Sequence, residues 1–126
     1  MIQVICPVCG AALEPQGAAW RCVQGHCFDV ARQGYVNLLT VTQKHSRHPG
    51  DTREMVAARR AFLDAGWYAP IAKTLADLVR RFCPEAASVL DAGCGEGYYL
   101  SQLGWVPERW GIDISRDAVR YAAARD

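Results

Sequence analysis

The sequence predicts an α/β chain. A small metal-stapled ribbon comes first, then helices, then the beginning of a doubly wound parallel sheet truncated after its second strand. Three observations predict this. Four of the six cysteines fall within the first 27 residues, at metal-ligand spacing. An apolar strand runs into the glycine-rich stretch "DAGCGEGYY" at residues 91–99. From residue 87 onward the order is strand, glycine turn, helix, strand, helix. Such a sheet normally has more strands, so the expectation is the front part of a longer protein, ending at Asp126.

Composition narrows the function classes. The chain has 126 residues, room for one domain or a small module plus part of a larger one. It is 51% hydrophobic and 21% charged, which is a folding composition and not a disordered one. A net charge of +1 excludes a global electrostatic argument for nucleic-acid binding, so any basic signal must be local. No apolar run approaches the roughly 20 residues a membrane helix needs, so no membrane partner is expected. The opening "MIQVICPVCG" lacks the pattern of a secretory signal. The expected compartment is the reducing cytoplasm, where cysteines serve as metal ligands or free thiols.

The elements follow in order. Residues 1–40 hold the ribbon, with β-prone pieces "AAWRCV" and "GYVNLL". So few residues cannot bury a sufficient core without a staple. Residues 41–84 form a basic loop and a helical lead-in. "VTQKHSRHPG" has no periodicity and reads as loop. Asp51 is expected to cap a helix, with Glu54 completing a capping-box-like pair. That helix presents Met55, Ala58, Phe62 and Ala65 on one face and stops at Gly66. Pro70 opens a second helix with Ile71, Leu75, Leu78, Val79 and Phe82 as an apolar stripe. Missing strands should cover that stripe. Left bare, it gives the chain a tendency to associate, up to a homodimer. Residues 85–126 form the incomplete sheet domain, with strands "ASVLDAG" and "RWGIDIS" and helices "EGYYLSQLG" and "RDAVRYAAARD".

Two motifs carry chemistry. Cys6, Cys9, Cys22 and His26 stand as C-x2-C-x12-C-x3-H, a workable set for a tetrahedral zinc site. Soft thiolates with one imidazole favour zinc over hard cations. Four protein ligands leave no open position, so the metal is structural. Spacing alone also admits Cys27 as the fourth ligand. Cys83 and Cys94 are isolated, and Cys83 is expected to be a small buried side chain.

The second motif is Asp91, Gly93, Gly95, Glu96 and Gly97, following an apolar strand. Its glycines are spaced G-x-G-x-G, unlike the G-x-G-x-x-G of nicotinamide sites. Asp113 follows Asp91 by 22 positions, at the end of the second strand, where a carboxylate can accept ribose hydroxyls. The acid-preceded G-x-G-x-G loop resembles motif I of class I S-adenosylmethionine-dependent methyltransferases. Lys44, His45, Arg47 and His48 make a local basic loop, and Arg59 and Arg60 add charge on the next helix, so all can serve RNA phosphates. Trp20, Phe28 and Tyr35 could stack on bases, but ribbon core is the expected role for at least two.

Over its whole length the chain resembles the bacterial 23S ribosomal RNA guanine-N1 methyltransferases of the RlmA type. "CPVCG", "FDVARQGYVNLL", "HSRHPGD", "ARRAFLDAGWY" and "VLDAGCGEGYY" carry the resemblance, in that order. It implies a zinc ribbon that helps recognise a 23S rRNA hairpin. It also implies a Rossmann-like domain that transfers a methyl group from S-adenosylmethionine to guanine N1. By the same resemblance the ligands are Cys6, Cys9, Cys22 and His26, so His26 closes the site and not Cys27. Tyr68, Gly95 and Glu96 would contact the cofactor. Some members of the family confer resistance to tylosin- or mycinamicin-type macrolides. No catalytic base is assigned, because the target-base pocket normally lies beyond the fourth strand.

Two other readings compete. One is a non-catalytic zinc-ribbon module that binds RNA or protein and carries a methyltransferase-like remnant. The other is a small-molecule methyltransferase, against which the basic loop argues. On the favoured reading, residues 1–126 alone are expected to be inactive.

Overall fold

In the computed structural model of the chain, which describes residues 1–125, three short strands form the ribbon. They are β1 (Glu14–Gln16), β2 (Ala19–Arg21) and β3 (Cys27–Asp29), antiparallel in the order β1-β2-β3. The expected strand in "GYVNLL" is reduced to an isolated bridge between Val30 and Val36. The ribbon's interior is Cys6, Leu13 and Cys22, with Val4, Ala11, Trp20, Phe28 and Leu38 packed around them. Two of its three most buried side chains are thus the cysteines that would face a metal. Trp20 and Phe28 serve this core.

After a 3-10 turn at Val41–Gln43 and an exposed loop come two helices, α1 (Arg53–Asp64) and α2 (Ala69–Phe82). The cap of α1 is Thr52 and not Asp51. Thr52 Oγ1 accepts from Met55 N–H at 3.2 Å, while the Asp51 carboxylate turns to Arg59. The buried residues of α1 are Val56 and Leu63, and the expected face of Met55, Ala58, Phe62 and Ala65 is exposed. The true seam is rotated by one residue, about 100° of helix. The cause is tertiary: α1 packs on a later helix, α4 (Arg116–Ala123), where Arg60 lies 4.6 Å from the centre of the Tyr121 ring. Gly66 follows the end of α1 as expected, with φ at +89°. In α2 Pro70 sits in the first turn, where its missing N–H costs nothing. Its stripe of Ile71, Leu75, Leu78 and Phe82 is exposed. Cys83, expected to be buried, is exposed at the end of α2.

The sheet begins with β4 (Ser88–Ala92) and β5 (Glu108–Ile112), parallel and paired from Ser88 with Glu108 to Ala92 with Ile112. The glycine loop and a single helical turn, α3 (Tyr98–Ser101), join them. That helix is shorter than "EGYYLSQLG" suggests. Asp113 stands one residue beyond the end of β5. The expected domain end, Asp126, lies outside the described residues.

The ribbon is seated on β5. Trp20 meets Trp110 edge-on, with ring centres 5.8 Å apart. Glu108 Oε1 accepts from Trp110 Nε1–H at 2.9 Å and from Ile2 N–H at 3.2 Å. The indole N–H first, and then the Ile2 N–H, hold this carboxyl below its usual range.

Candidate metal centre and cofactor crevice

Two tight turns build the metal centre. In the first, Gly10 N–H returns to Cys6 O at 2.8 Å, and in the second Gly25 N–H returns to Cys22 O at 3.0 Å. Both glycines have positive φ, at +75° and +90°, which a residue with a Cβ rarely adopts. The turns bring Cys6, Cys9, Cys22 and His26 together, with all four ligand atoms within 4.8 Å of one another.

The spacings suit zinc. Thiolates about 2.3 Å from a tetrahedral ion lie about 3.8 Å apart, and a thiolate and an imidazole nitrogen about 3.5 Å apart. Cys9 Sγ and Cys22 Sγ are separated by 3.7 Å, and His26 Nδ1 is 3.3 Å from Cys22 Sγ and 3.6 Å from Cys6 Sγ. Burial pushes the Cys22 thiol up, but the backbone N–H groups of His26 and Gln24 and the side chains of Cys9 and His26 outweigh it. The result is a thiol brought down to about 6. Cys27 is outside the cluster, exposed on β3 opposite Arg21. His26→Ala is therefore expected to release one zinc per chain, while Cys27→Ala retains it. Metal content of the two purified variants checks this, and the reverse pattern would exclude His26 as the ligand.

The second site is the glycine turn at the ends of β4 and β5, where ligands of open parallel sheets bind in the crevice outside the carboxyl ends of the strands. Gly93 and Cys94 both donate to Ile112 O, which carries the strand pairing into the turn. A side chain at Gly93 would enter open space, so a ligand can lie there against bare backbone. A side chain at Gly97 would meet Ala122 at 3.1 Å, so this glycine lets α4 close on the turn. Asp113 Oδ2 accepts from Gly95 N–H at 2.9 Å and Oδ1 from Ser115 N–H at 2.8 Å. Each oxygen retains a lone pair for a hydroxyl. Burial, and then Asp113, raise the Asp91 carboxyl. Burial followed by the charges of Asp113 and Asp91 pushes the Cys94 thiol up to about 11, so it remains an unreactive thiol.

Glu96 is buried beside the turn. Its side chain is 2% exposed, and Oε2 is bound by Nε and NH2 of Arg125. Its other oxygen, Oε1, is buried with no partner among the described residues. An orphan acceptor beside a glycine turn suits a ligand that brings a donor, as the amino group of S-adenosylmethionine does. Tyr68 stands at the N-cap of α2, packed edge-on against Phe62 with ring centres 5.0 Å apart. Burial, and then Tyr68 with Tyr98, raise the phenol of Tyr99 just beyond the turn.

The four basic candidates divide. Lys44 and Arg47 are exposed in the loop between the modules. Arg60 is held by Tyr121 and Asp64, and Arg59 is held through NH1 alone by Asp51. Arg125 was not foreseen. Its partners Glu96 and Asp64 are 29 and 61 positions away, and no local spacing signals such a pair.

Residues 4–47 match the family described as "RlmA, N-terminal", a zinc ribbon. A Micromonospora griseorubida protein named as a 23S rRNA (guanine-N1)-methyltransferase is 43% identical over 94% of this chain and 46% of its own length. The Streptomyces fradiae 23S rRNA (guanine(748)-N1)-methyltransferase is 45% identical over 94% of this chain and 43% of its own. A Bacillus subtilis protein named for the same guanine-N1 reaction is 33% identical over 94% and 44%. The chain thus spans less than half the length of these relatives. The described residues contain no helix long and apolar enough to cross a membrane.

Proposed function

We propose that this chain is part of a 23S rRNA guanine-N1-methyltransferase, because residues 4–47 match an RlmA-type zinc ribbon and 94% of the chain aligns with proteins of that name. The reaction is methyl transfer from S-adenosylmethionine to N1 of a guanine in a 23S rRNA hairpin, in the cytoplasm. What carries this reading is one arrangement. A four-ligand metal cluster is seated, through Trp20 and Trp110, on the strand next to an acid-lined glycine turn. Neither a lone ribbon nor a lone glycine loop would require the other.

The cofactor supplies an electrophilic methyl group when bound. This chain's residues would bind and orient. Cys6, Cys9, Cys22 and His26 hold zinc and so fix the ribbon. Gly93 and Gly95 offer backbone, Asp91 and Asp113 face the cationic and ribose parts, and Glu96 Oε1 accepts from an amino group. Tyr68 would contact the cofactor from the start of α2. Lys44 and Arg47 contact RNA phosphates. Positioning of this kind supplies much of the rate in any transfer between two bound partners. In residues 1–126 alone the exposed stripe of α2 would favour association.

Labelled S-adenosylmethionine and unmodified 23S RNA, incubated with the full-length protein, should place label at a guanine N1. Residues 1–126 alone should place none. Label absent with the full-length protein, while the zinc ribbon still binds RNA, would support the non-catalytic module instead. In the full-length protein Asp113→Ala should weaken cofactor binding by roughly ten- to a hundredfold, the loss of a charge-assisted hydrogen bond. Calorimetric titration measures it, and an unchanged affinity would remove Asp113 from the crevice.

A further inference from the structure

Arg59 is half-exposed on α1, yet it does not simply point to solvent. Its NH1 lies 2.5 Å from Asp51 Oδ2 and 3.9 Å from where a side chain on Gly95 would begin. The guanidinium therefore faces the middle glycine of the turn.

Its position is fixed by a continuous set of contacts. Gly50 packs so closely on Ile114 and Ser115 that a Cβ there would come within 2.8 Å of both. Next to it, Asp51 O accepts from Ser115 Oγ at 2.8 Å. Ser115 N–H goes to Asp113, and Asp113 in turn takes Gly95 N–H. The loop before α1 is thus pinned to the end of the second strand, and the Asp51 carboxylate is held where it can hold Arg59. A guanidinium has five N–H donors, and Asp51 engages NH1, so others remain for a ligand.

Charge gives the position its meaning. The charged groups at the turn are the acids Asp91, Asp113 and Glu96, with Arg125 paired to Glu96. The cofactor proposed above has a sulfonium, an ammonium and a carboxylate. Its cations fit among acids, but its carboxylate does not. An uncompensated carboxylate in that crevice would be repelled.

We propose that Arg59 is an anion-binding residue of the crevice, taking the carboxylate of the cofactor's amino-acid tail while Asp51 holds the guanidinium over Gly95. This rests on the S-adenosylmethionine reading, and it moves Arg59 from the RNA surface to the cofactor site. Planar, forked donors suit a carboxylate better than a point charge does.

The test titrates the full-length protein with S-adenosylmethionine and with its decarboxylated form, which keeps the sulfonium and the amine. Arg59→Gln should weaken the first by roughly ten- to a hundredfold and leave the second unchanged. Arg59→Lys, which keeps charge without the fork, should fall between for the first ligand. Equal weakening of both ligands would mean that Arg59 only supports the fold. No weakening of either, or a loss confined to RNA affinity, would equally overturn the proposal. A wild-type protein that binds neither ligand would instead defeat the methyltransferase reading itself.

Discussion

Cys6→Ser is expected to release zinc and unfold the ribbon while leaving the later helices folded. Cys6 is 1% exposed and lies in the ribbon's small core with Leu13 and Cys22. A strand set of three residues each offers little else to bury. In small zinc modules the metal supplies on the order of 10 kcal/mol of folding free energy, which exceeds what such a core provides. Chelation of the wild-type protein should reproduce the variant. Zinc content and limited proteolysis together check it, with early cleavage confined to residues 1–40. Tryptophan fluorescence gives a second signal, because losing the ribbon separates Trp20 from Trp110. A metal-free protein with an ordered ribbon would sink the site.

Arg125→Ala is expected to destabilise the sheet domain by about 3–5 kcal/mol, the usual cost of stranding a buried charge. The Glu96 side chain is 2% exposed and that of Arg125 19%, so solvent screens this pair poorly. The same guanidinium reaches Asp64 at 3.1 Å and so ties α1 to the turn. Adding Glu96→Gln to Arg125→Ala should recover much of the loss, because the stranded charge is gone. Urea unfolding of the full-length protein measures both. A single-variant loss within about 0.5 kcal/mol, the range of ordinary surface changes, would show that the pair is not what keeps Glu96 buried.

The parts that were legible in the sequence are those specified locally. The cysteine spacing, Gly66 after α1, Pro70 in the first turn of α2 and the strand-glycine order all depend on neighbours a few residues away. The errors have a common cause. Asp51 looked like a cap because its residue type is right. Instead its carbonyl is claimed by Ser115, 64 positions later, and its carboxylate by Arg59. The seam of α1 was misplaced by one residue because α4 decides which side is covered. The burial of Glu96 was not legible, because the residue that covers it, Arg125, is remote in sequence. The roles of Tyr68, Asp91, Asp113 and the three glycines toward a cofactor rest on resemblance and placement together.

The pinning of Gly50 and Asp51 also bears on how this chain tolerates change in length. Between Thr40 and His48 the backbone is exposed, and its hydrogen bonds stay within the 3-10 turn. Residues can be gained or lost there at the modest entropic cost of a longer or shorter loop. From Gly50 to Thr52 the situation reverses. Gly50 has no space for a side chain, Asp51 has its carbonyl engaged, and Thr52 caps α1. An insertion there would shift Asp51 and Thr52 out of register together. Length variation among natural versions of this chain should therefore collect before Pro49 and stop abruptly at Gly50.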